Sequence, residues 1–255
     1  MLEFAGVGKS FDGARPVHVL QGVDFSIGSG EFVSLVGHSG SGKTTLLRLA
    51  AGLLRPTAGT VSITGTPANL YAQSHSIGYM SQTPALLEWR TLEENLKLPA
   101  EISGNWNGVD RRIAELLDMF GLSEYGAYFP RELSGGMAQR AAMARALLCE
   151  APILLLDEPF SSLDALTRES LWRDAGRTLM HEGVTGFMIT HNISEAVVMS
   201  DRILVLGGRP ARVVGELDVP GSRPRDSSFL RGVEARETEQ AVRELLEAHL
   251  NSGVS

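Results

Sequence analysis

The sequence predicts an α/β protein built on a parallel β-sheet, and three features of its pattern support this fold class. A short apolar segment, 31–36, runs into a glycine-rich turn that a helical pattern follows at once. A second segment, 153–156, consists of apolar residues alone, as a strand buried on both faces requires. A helical pattern over 166–181 then separates the strand patterns 153–157 and 185–190, which is the β–α–β order of parallel strands.

Composition is typical of a globular protein and excludes several function classes. Hydrophobic residues make up 43% and charged residues 21% of the 255 positions, enough to bury a substantial core. Apolar runs fall well short of the roughly 18 residues that cross a bilayer, and the first ten residues lack the apolar core of a secretory signal. A net charge of −7 argues against nucleic acid as a partner, and the single cysteine, Cys149, precludes an intrachain disulfide.

Two further segments predict an antiparallel β layer beside the main sheet. Residues 23–27 and 60–64 each alternate apolar and polar side chains, as half-exposed strands do. Another short strand pattern, 202–206, follows near the end of the α/β core. The predicted core therefore has two β layers.

Between residues 83 and 150 the pattern changes from strands to helices. One helix places its apolar residues on a single face with the spacing i, i+3, i+4 and i+7: Ile113, Leu116, Leu117 and Phe120. Another is marked by Met137, Ala141, Ala144 and Leu148. We expect a helical subdomain, about 83–150, inserted into an α/β domain that spans 1–219.

The remaining residues, 220–255, predict a loop followed by a terminal helix. Residues 221–226 are rich in Gly, Pro and Arg, and 234–250 form an acidic amphipathic pattern whose apolar stripe contains Val242, Leu245 and Leu246. An apolar stripe of this kind indicates a helix packed on its own domain. The alternative is a helix that binds a partner.

The glycine-rich turn carries the clearest chemical motif in the chain. Residues 37–44 read Gly-His-Ser-Gly-Ser-Gly-Lys-Thr and match G-x-x-x-x-G-K-[ST] in full. Glycines let successive backbone N–H groups approach phosphate oxygens, and the following helix adds the positive end of its dipole. The motif predicts a P-loop NTPase core that binds ATP, since the glycines do not fit a dinucleotide fingerprint. The predicted nucleotide-binding residues here are Gly37, His38, Ser39, Gly40, Ser41, Gly42, Lys43, Thr44 and Thr45.

Individual roles follow from the motif. Lys43 is expected to reach the β- and γ-phosphates, and the hydroxyl of Thr44 to ligate Mg²⁺. Thr45 is expected to support the α-phosphate. His38 occupies a variable position of the motif, so we expect its side chain to point away from the phosphates.

Two consecutive carboxylates end the apolar strand 153–157. Asp157 is expected to hold Mg²⁺ through a water molecule. Glu158 follows at once and is expected to face the γ-phosphate, where it can orient and polarise the attacking water. General-base assistance of this kind contributes about 10²- to 10⁴-fold in rate.

A Leu-Ser-Gly-Gly segment lies just upstream of that strand. Residues 133–140 read Leu-Ser-Gly-Gly-Met-Ala-Gln-Arg. Together with the phosphate loop and the Asp-Glu pair, this order resembles the nucleotide-binding subunit of ABC transporters over about 2–216. The resemblance implies an ATPase that works as a head-to-tail homodimer, with each ATP held between one phosphate loop and the partner's 133–140 segment. It implies nucleotide contacts by Ser134, Gly135, Gly136 and Gln139.

The same resemblance implies roles for four more residues. Gln82 would sense Mg²⁺ and the attacking water and couple the site to a membrane subunit. His191 would be the switch histidine at the γ-phosphate, Asp164 would reach across the dimer, and Phe11 would stack on adenine. The implied catalytic set is Glu158, His191 and Gln82, and the implied metal set is Thr44, Gln82 and Asp157.

A narrower resemblance concerns the segment 86–96, which contains Trp89-Arg90-Thr91. It is similar to the import ATPases of the nitrate, sulfonate and taurine group, which includes thiamine-precursor importers, although Glu88 stands where that group has Pro. The resemblance implies a separate integral-membrane permease, an extracytoplasmic substrate-binding protein, and a location at the cytoplasmic face of the inner membrane. Trp89 would lie where the permease docks; the alternative is a core tryptophan.

Three other functions compete with an importer ATPase. A soluble ABC ATPase of DNA repair or translation usually carries paired cassettes or long insertions, whereas this chain has one cassette. An exporter ATPase shares the catalytic motifs, but the Trp89 segment and the short C-terminal extension favour import. A different P-loop enzyme, such as a small-molecule kinase, does not account for residues 133–140.

Overall fold

The structure, a computed structural model, describes residues 1–13, 15–226 and 228–250. Within these residues the strands are β1 (Leu2–Phe11), β2 (Val17–Ile27), β3 (Phe32–Gly37), β4 (Ala58–Ile63), β5 (Thr66–Pro67), β6 (Gly78–Met80), β7 (Ile153–Asp157), β8 (Thr185–Thr190), β9 (Arg202–Gly207) and β10 (Arg212–Asp218). The α-helices are α1 (Lys43–Ala50), α2 (Ala68–Ser74), α3 (Leu92–Ser103), α4 (Val109–Met119), α5 (Gly135–Leu148), α6 (Ala165–His181), α7 (Ile193–Met199) and α8 (Val233–Leu250).

The central sheet has six strands in the order β10-β9-β3-β8-β7-β6. All neighbours run parallel except β10, which is antiparallel to β9. Every residue of β3, β7 and β8 is buried, as expected for strands covered on both faces. Because these three strands are parallel neighbours, the segments that follow them meet at one edge of the sheet.

The second sheet is antiparallel, in the order β2-β1-β4-β5, which confirms the predicted β layer. Its inner face packs on the central sheet: the rings of Phe4 and Phe25 stack with centroids 4.4 Å apart, and Phe25 also lies 5.5 Å from Phe187 of β8. The sequence pattern indicates only the last part of β2 and does not indicate β1. Irregular register between the two strands, where Gly6 and Gly22 adopt positive φ, interrupts the alternation that would have predicted them.

Three helices, α3, α4 and α5, lie between β6 and β7 in the chain and form the predicted helical insertion. Their apolar faces share one core with the central sheet, which includes Leu96, Leu116 and Ala141 from the helices and Leu156 from β7. The helix α3 was not predicted individually. Its signal is a capping box, since the Thr91 hydroxyl accepts from the Glu94 N–H while the Glu94 carboxylate accepts from the Thr91 N–H.

The terminal helix α8 packs on its own chain against α7, β9 and β10. Val242 is fully buried there, and Leu245 and Leu246 are partly buried. In the described part of the chain, every helix is too short or too polar to span a bilayer.

Candidate functional site

The phosphate loop leaves β3 at Gly37 and enters α1 at Lys43. Gly40 and Gly42 adopt φ values of +76° and +93°, which side-chain-bearing residues rarely adopt. A Cβ atom on Gly42 would also lie 2.8 Å from the Cγ1 atom of Val19 on β2. The loop conformation therefore requires glycine at position 42 for two independent reasons.

Lys43 is buried at the start of α1, and its ammonium group lies inside the loop. Its Nζ donates to the carbonyl oxygens of Gly37 at 2.7 Å and His38 at 2.9 Å. Burial lowers the pKa of Lys43, while the negative charges of Glu158 and Asp157 act in the opposite direction. The cation is thus held between the loop and the two carboxylates at the end of β7.

Asp157 is 2% exposed at the end of β7. Burial raises its pKa, and a hydrogen bond with the Thr44 side chain opposes that rise. The two side chains expected to serve Mg²⁺, Thr44 and Asp157, are therefore adjacent. Both present oxygen atoms, the ligands that Mg²⁺ prefers.

Glu158 occupies an unusual backbone conformation, with φ of +50° in a residue that is not glycine. Left-handed backbone of this kind in a non-glycine residue is costly and is concentrated at functional sites. Its N–H donates to the carbonyl of Ile189 on the neighbouring strand β8 at 2.8 Å. This bond fixes the direction in which the Glu158 side chain leaves the sheet.

The Glu158 carboxylate brings the three predicted catalytic residues together. Its Oε2 atom accepts from Gln82 Nε2 at 3.2 Å and lies 3.2 Å from His191 Nδ1. Gln82 follows β6 and His191 follows β8, so the cluster joins residues that are far apart in sequence. The parallel order β8-β7-β6 produces this meeting.

A cavity of about 410 Å³ lies over this arrangement. It is lined by Val19, Ser39, Gly40, Ser41, Gly42, Lys43, Thr44, Thr45, Gln82 and Glu158. Val19 was not predicted from the sequence, because only its position on β2 opposite Gly42 brings it to the loop. Phe11, expected to stack on adenine, is outside this lining; it lies at the end of β1 opposite Val17, is 41% exposed, and has the Lys9 ammonium 5.1 Å from its ring centre.

His38 points away from the cavity. Its Nε2 atom lies 3.4 Å from the carbonyl oxygen of Leu246 on α8. The side chain of this loop residue therefore contacts the terminal helix.

The Leu-Ser-Gly-Gly segment begins α5. The Ser134 hydroxyl caps the helix by accepting from the Met137 N–H at 3.2 Å, and both Ser134 and Gly135 are exposed. An exposed helix start of this kind is suited to an anion. Gly136 lies closer to the core, where an added Cβ would be 3.2 Å from the Leu163 side chain.

Gln139, expected to contact nucleotide, has its side-chain amide hydrogen-bonded within its own chain. It is 1% exposed. Its Nε2 donates to the Glu158 carbonyl at 2.8 Å and to Ser161 Oγ at 3.2 Å, and its Oε1 accepts from the Ser162 N–H at 2.8 Å. Gln139 therefore fixes the segment after Glu158 against α5.

Asp164, expected to reach across a dimer, is exposed and caps α6. Its Oδ1 accepts from the Thr167 N–H at 3.0 Å, and hydrogen bonds with Thr167 lower the pKa of Asp164. The exposed segment 134–135 and Asp164 lie on the surface, whereas the cluster around Glu158 is made within the chain.

A buried carboxyl supports the His191 turn and was not predicted. Glu195 is 3% exposed and accepts from the Thr190 hydroxyl at 2.7 Å, while Thr190 Oγ1 also accepts from the Asn192 N–H at 2.9 Å. Burial raises the pKa of Glu195 to about 7. In the sequence this residue resembles any acidic residue at a helix start, so only its burial identifies it.

Known proteins resemble this chain in sequence over most of its length. The ABC transporter family matches residues 20–161. An aliphatic sulfonates import ATP-binding protein, SsuB 1 of Pseudomonas aeruginosa, is 39% identical over 259 residues, covering 98% of each protein. The nitrate import ATP-binding protein NrtC of Synechococcus elongatus is 41% identical over 81% of this chain, which spans 32% of the length of NrtC.

Solved structures resemble the chain in fold. The ATP-binding cassette MJ0796, a dimer in a post-hydrolysis state bound to ADP and phosphate, has a TM-score of 0.78 and 32% sequence identity. The match covers 87% of this chain and 100% of that one. A further structure, of an ATP-binding subunit of an ABC transporter, has a TM-score of 0.77 and 30% identity over 95% of this chain.

Proposed function

The chain belongs to the ABC transporter family and is an ATPase of that family; from this premise we propose that it is the ATP-hydrolysing subunit of an importer. In this proposal two copies form a head-to-tail dimer at the cytoplasmic face of the inner membrane and drive a separate integral-membrane permease. The cargo is a small anion such as a sulfonate, taurine or nitrate, or a thiamine precursor, delivered by an extracytoplasmic binding protein. The sulfonate and nitrate importers named among its relatives support this choice.

The observation that carries the proposal is the cluster at the Glu158 carboxylate. Gln82 and His191 both contact its Oε2 atom, and Glu158 also lines the cavity of the phosphate loop. A carboxylate held beside a phosphate site can orient a water molecule for attack on phosphorus. The arrangement therefore suits hydrolysis of ATP at its γ-phosphate.

The residues present fit a nucleotide phosphate and its metal ion. Ser41 Oγ is buried in the loop without a hydrogen-bond partner inside the described chain, so an incoming phosphate oxygen can satisfy it. Thr44 and Asp157 supply two adjacent oxygen groups. Mg²⁺ is commonly held by one or two side chains together with substrate phosphates. When bound, the ion neutralises charge that develops on the phosphate oxygens.

The chain's own residues then divide the reaction between them. The backbone N–H groups of the loop and the Lys43 ammonium hold the β- and γ-phosphates. Glu158 orients the attacking water and accepts its proton as the water oxygen bonds to the γ-phosphorus. The bond from that phosphorus to the bridging oxygen of ADP breaks, and the electron pair leaves with ADP. Gln82 and His191 keep the Glu158 carboxylate directed at the water.

The exposed start of α5 supports the dimeric part of the proposal. Ser134 and Gly135 present a helix N-terminus on the surface, and Asp164 lies on the surface as well. Such a helix start attracts the phosphates of an ATP molecule bound to another copy. Each ATP would then lie between two chains.

Trp89 supports the permease part of the proposal. It is 73% exposed, so the alternative of a core tryptophan is excluded. The buried side chain of Asn95 fixes the segment that carries it: Asn95 accepts from the Leu87 N–H at 2.7 Å and donates to the carbonyl oxygens of Leu87, Arg90 and Thr91. A large aromatic side chain held on a fixed segment is a suitable anchor for a protein partner.

Affinity purification from the native membrane tests the importer. The tagged chain is expected to recover an integral-membrane protein with several spans, whereas Trp89→Glu should lose most of that recovery. Met180→Glu changes another exposed apolar residue, on α6, and should recover the protein normally. Recovery of ribosomal or DNA-repair proteins without a permease would contradict the proposal and favour a soluble ABC ATPase.

A further inference from the structure

The terminal helix α8 shares an apolar core with the strand that leads into the phosphate loop. Val242 of α8 belongs to a buried cluster that also contains Val36, the residue directly before Gly37. The same cluster contains Ala196 and Val197 of α7, the helix that follows His191. One apolar core thus joins α8 to β3, which precedes the phosphate loop, and to α7, which follows the His191 turn.

Two glycines allow α8 to approach the sheet closely. A Cβ atom on Gly215 of β10 would lie 2.4 Å from Leu245 Cδ1, and one on Gly207 of β9 would lie 2.9 Å from His249 Cβ. At Gly207 the added atom would meet the base of the His249 side chain, so a larger residue there would displace the helix, whereas at Gly215 the tip of the Leu245 side chain would have to move. The position of α8 is therefore tightly defined by its packing.

Polar contacts also connect α8 to the His191 turn and to the phosphate loop. The Ser194 hydroxyl, in the first turn of α7, donates to Glu239 Oε1 at 2.5 Å. At the other loop, the His38 ring lies 3.4 Å from the Leu246 carbonyl. Glu239 and Leu246 are two helical turns apart, which places them on one face of α8 and about 10 Å apart along its axis.

We propose that α8 sets the relative position of the phosphate loop and the His191 turn, with Glu239 and His38 as positioning residues for ATP hydrolysis. This inference rests on the proposed roles of His191 and the phosphate loop. A rigid helix that contacts both loops keeps their separation constant. Glu239 acts through Ser194 on the turn that carries His191, and the Leu246 carbonyl acts through His38 on the loop that holds the phosphates.

Substitution of Glu239 in the full chain tests the first contact. Glu239→Ala is expected to lower kcat for ATP roughly fivefold with KM changed by less than about twofold, because one positioning hydrogen bond is lost and the nucleotide contacts remain. Glu239→Gln should retain most of kcat, since its amide oxygen still accepts from Ser194. Glu237→Ala, at an exposed position of the same helix, is the matched control and should behave like the wild type.

Two further readouts separate positioning from general destabilisation. The double variant Ser194→Ala/Glu239→Ala should lose no more activity than Glu239→Ala, because both changes remove the same contact. Hydrogen–deuterium exchange of the peptide containing residues 191–197 should be faster in Glu239→Ala than in Glu237→Ala. At the second contact, His38→Ala should raise the dissociation constant for ATP by about threefold.

The outcomes distinguish this inference from the proposed function. A wild-type chain that binds and hydrolyses no ATP would contradict the proposed function, while the exchange measurement would still report on α8. A wild-type chain with normal turnover, together with equal kcat and equal exchange in Glu239→Ala and Glu237→Ala, would overturn the role of α8. A parallel loss of kcat and of nucleotide-binding stoichiometry in Glu239→Ala would overturn it as well, since that pattern reports unfolding.

Discussion

The proposed ATP site has two halves that differ in their contacts. The catalytic half lies at the edge of the central sheet, and the other half is the start of α5. At the edge of the central sheet, the charged groups find partners within the chain: Lys43 bonds to the loop carbonyls, and the Glu158 carboxylate contacts Gln82 and His191. At the start of α5, Ser134 and Gly135 are exposed. The difference supports the proposal that each chain organises one half of the site alone and offers the exposed start of α5 to another copy.

Lys43→Ala should have the largest effect on the catalytic half. The loss of the phosphate-binding ammonium is expected to reduce hydrolysis by about 10²- to 10³-fold and to weaken ATP binding, as removal of a preorganised charge donor does. Lys97→Ala, on α3 and remote from the cavity lining, should leave both unchanged. ATP titration by calorimetry and phosphate-release assays provide the measurements. Unchanged affinity in Lys43→Ala would place the phosphates elsewhere.

Gln139→Ala tests whether this residue supports the fold of the catalytic half or contacts the nucleotide. Its removal leaves the Ser162 N–H without its hydrogen-bond partner, at a cost of about 1–3 kcal/mol, while the Glu158 carbonyl keeps its bonds from Ser161. Thermal unfolding without nucleotide should therefore shift downward by several degrees. Gln240→Ala, at an exposed position, should not shift it. A normal melting temperature combined with lost ATP binding would instead assign Gln139 to nucleotide contact.

Glu195, which supports the catalytic half, makes the stability of the chain depend on pH. Its pKa rises from 4.5 to about 7 on folding, so the folded state binds the proton more tightly. The contribution of Glu195 to the free energy of unfolding is fully present below pH 4.5 and is lost as the pH rises through about 7. This contribution is at most about 3 kcal/mol. Glu195→Gln should therefore gain melting temperature relative to the wild type between pH 5 and pH 8. A constant difference across that range would contradict the assignment.

Sequence patterns and the family resemblance predicted the family, the fold class and a catalytic set of Gln82, Glu158 and His191, because each residue follows a recognisable strand or motif. The ABC family match and the cassette structures confirm the first two. The roles of the individual residues remain predictions. Spacing cannot show which way a side chain points, so the inward orientation of Gln139 was missed.

The sequence also did not predict the residues whose roles depend on their burial. Glu195 and Asn95 resemble ordinary polar residues until the fold buries them. Val19 reaches the phosphate loop through strand pairing, and Phe11, expected at the adenine, lies outside the lining of the cavity. These positions depend on contacts between distant segments, which periodicity does not encode.

The most direct test of the account is sedimentation velocity of the Glu158→Gln variant with ATP and Mg²⁺. Without its catalytic base the variant should keep ATP intact and sediment as a dimer, because both halves of each site stay engaged. Adding Ser134→Glu to the variant places a negative charge against the phosphates and should return it to a monomer that still binds ATP. A Glu158→Gln chain that binds ATP and remains a monomer, or hydrolyses it at the wild-type rate, would contradict the account.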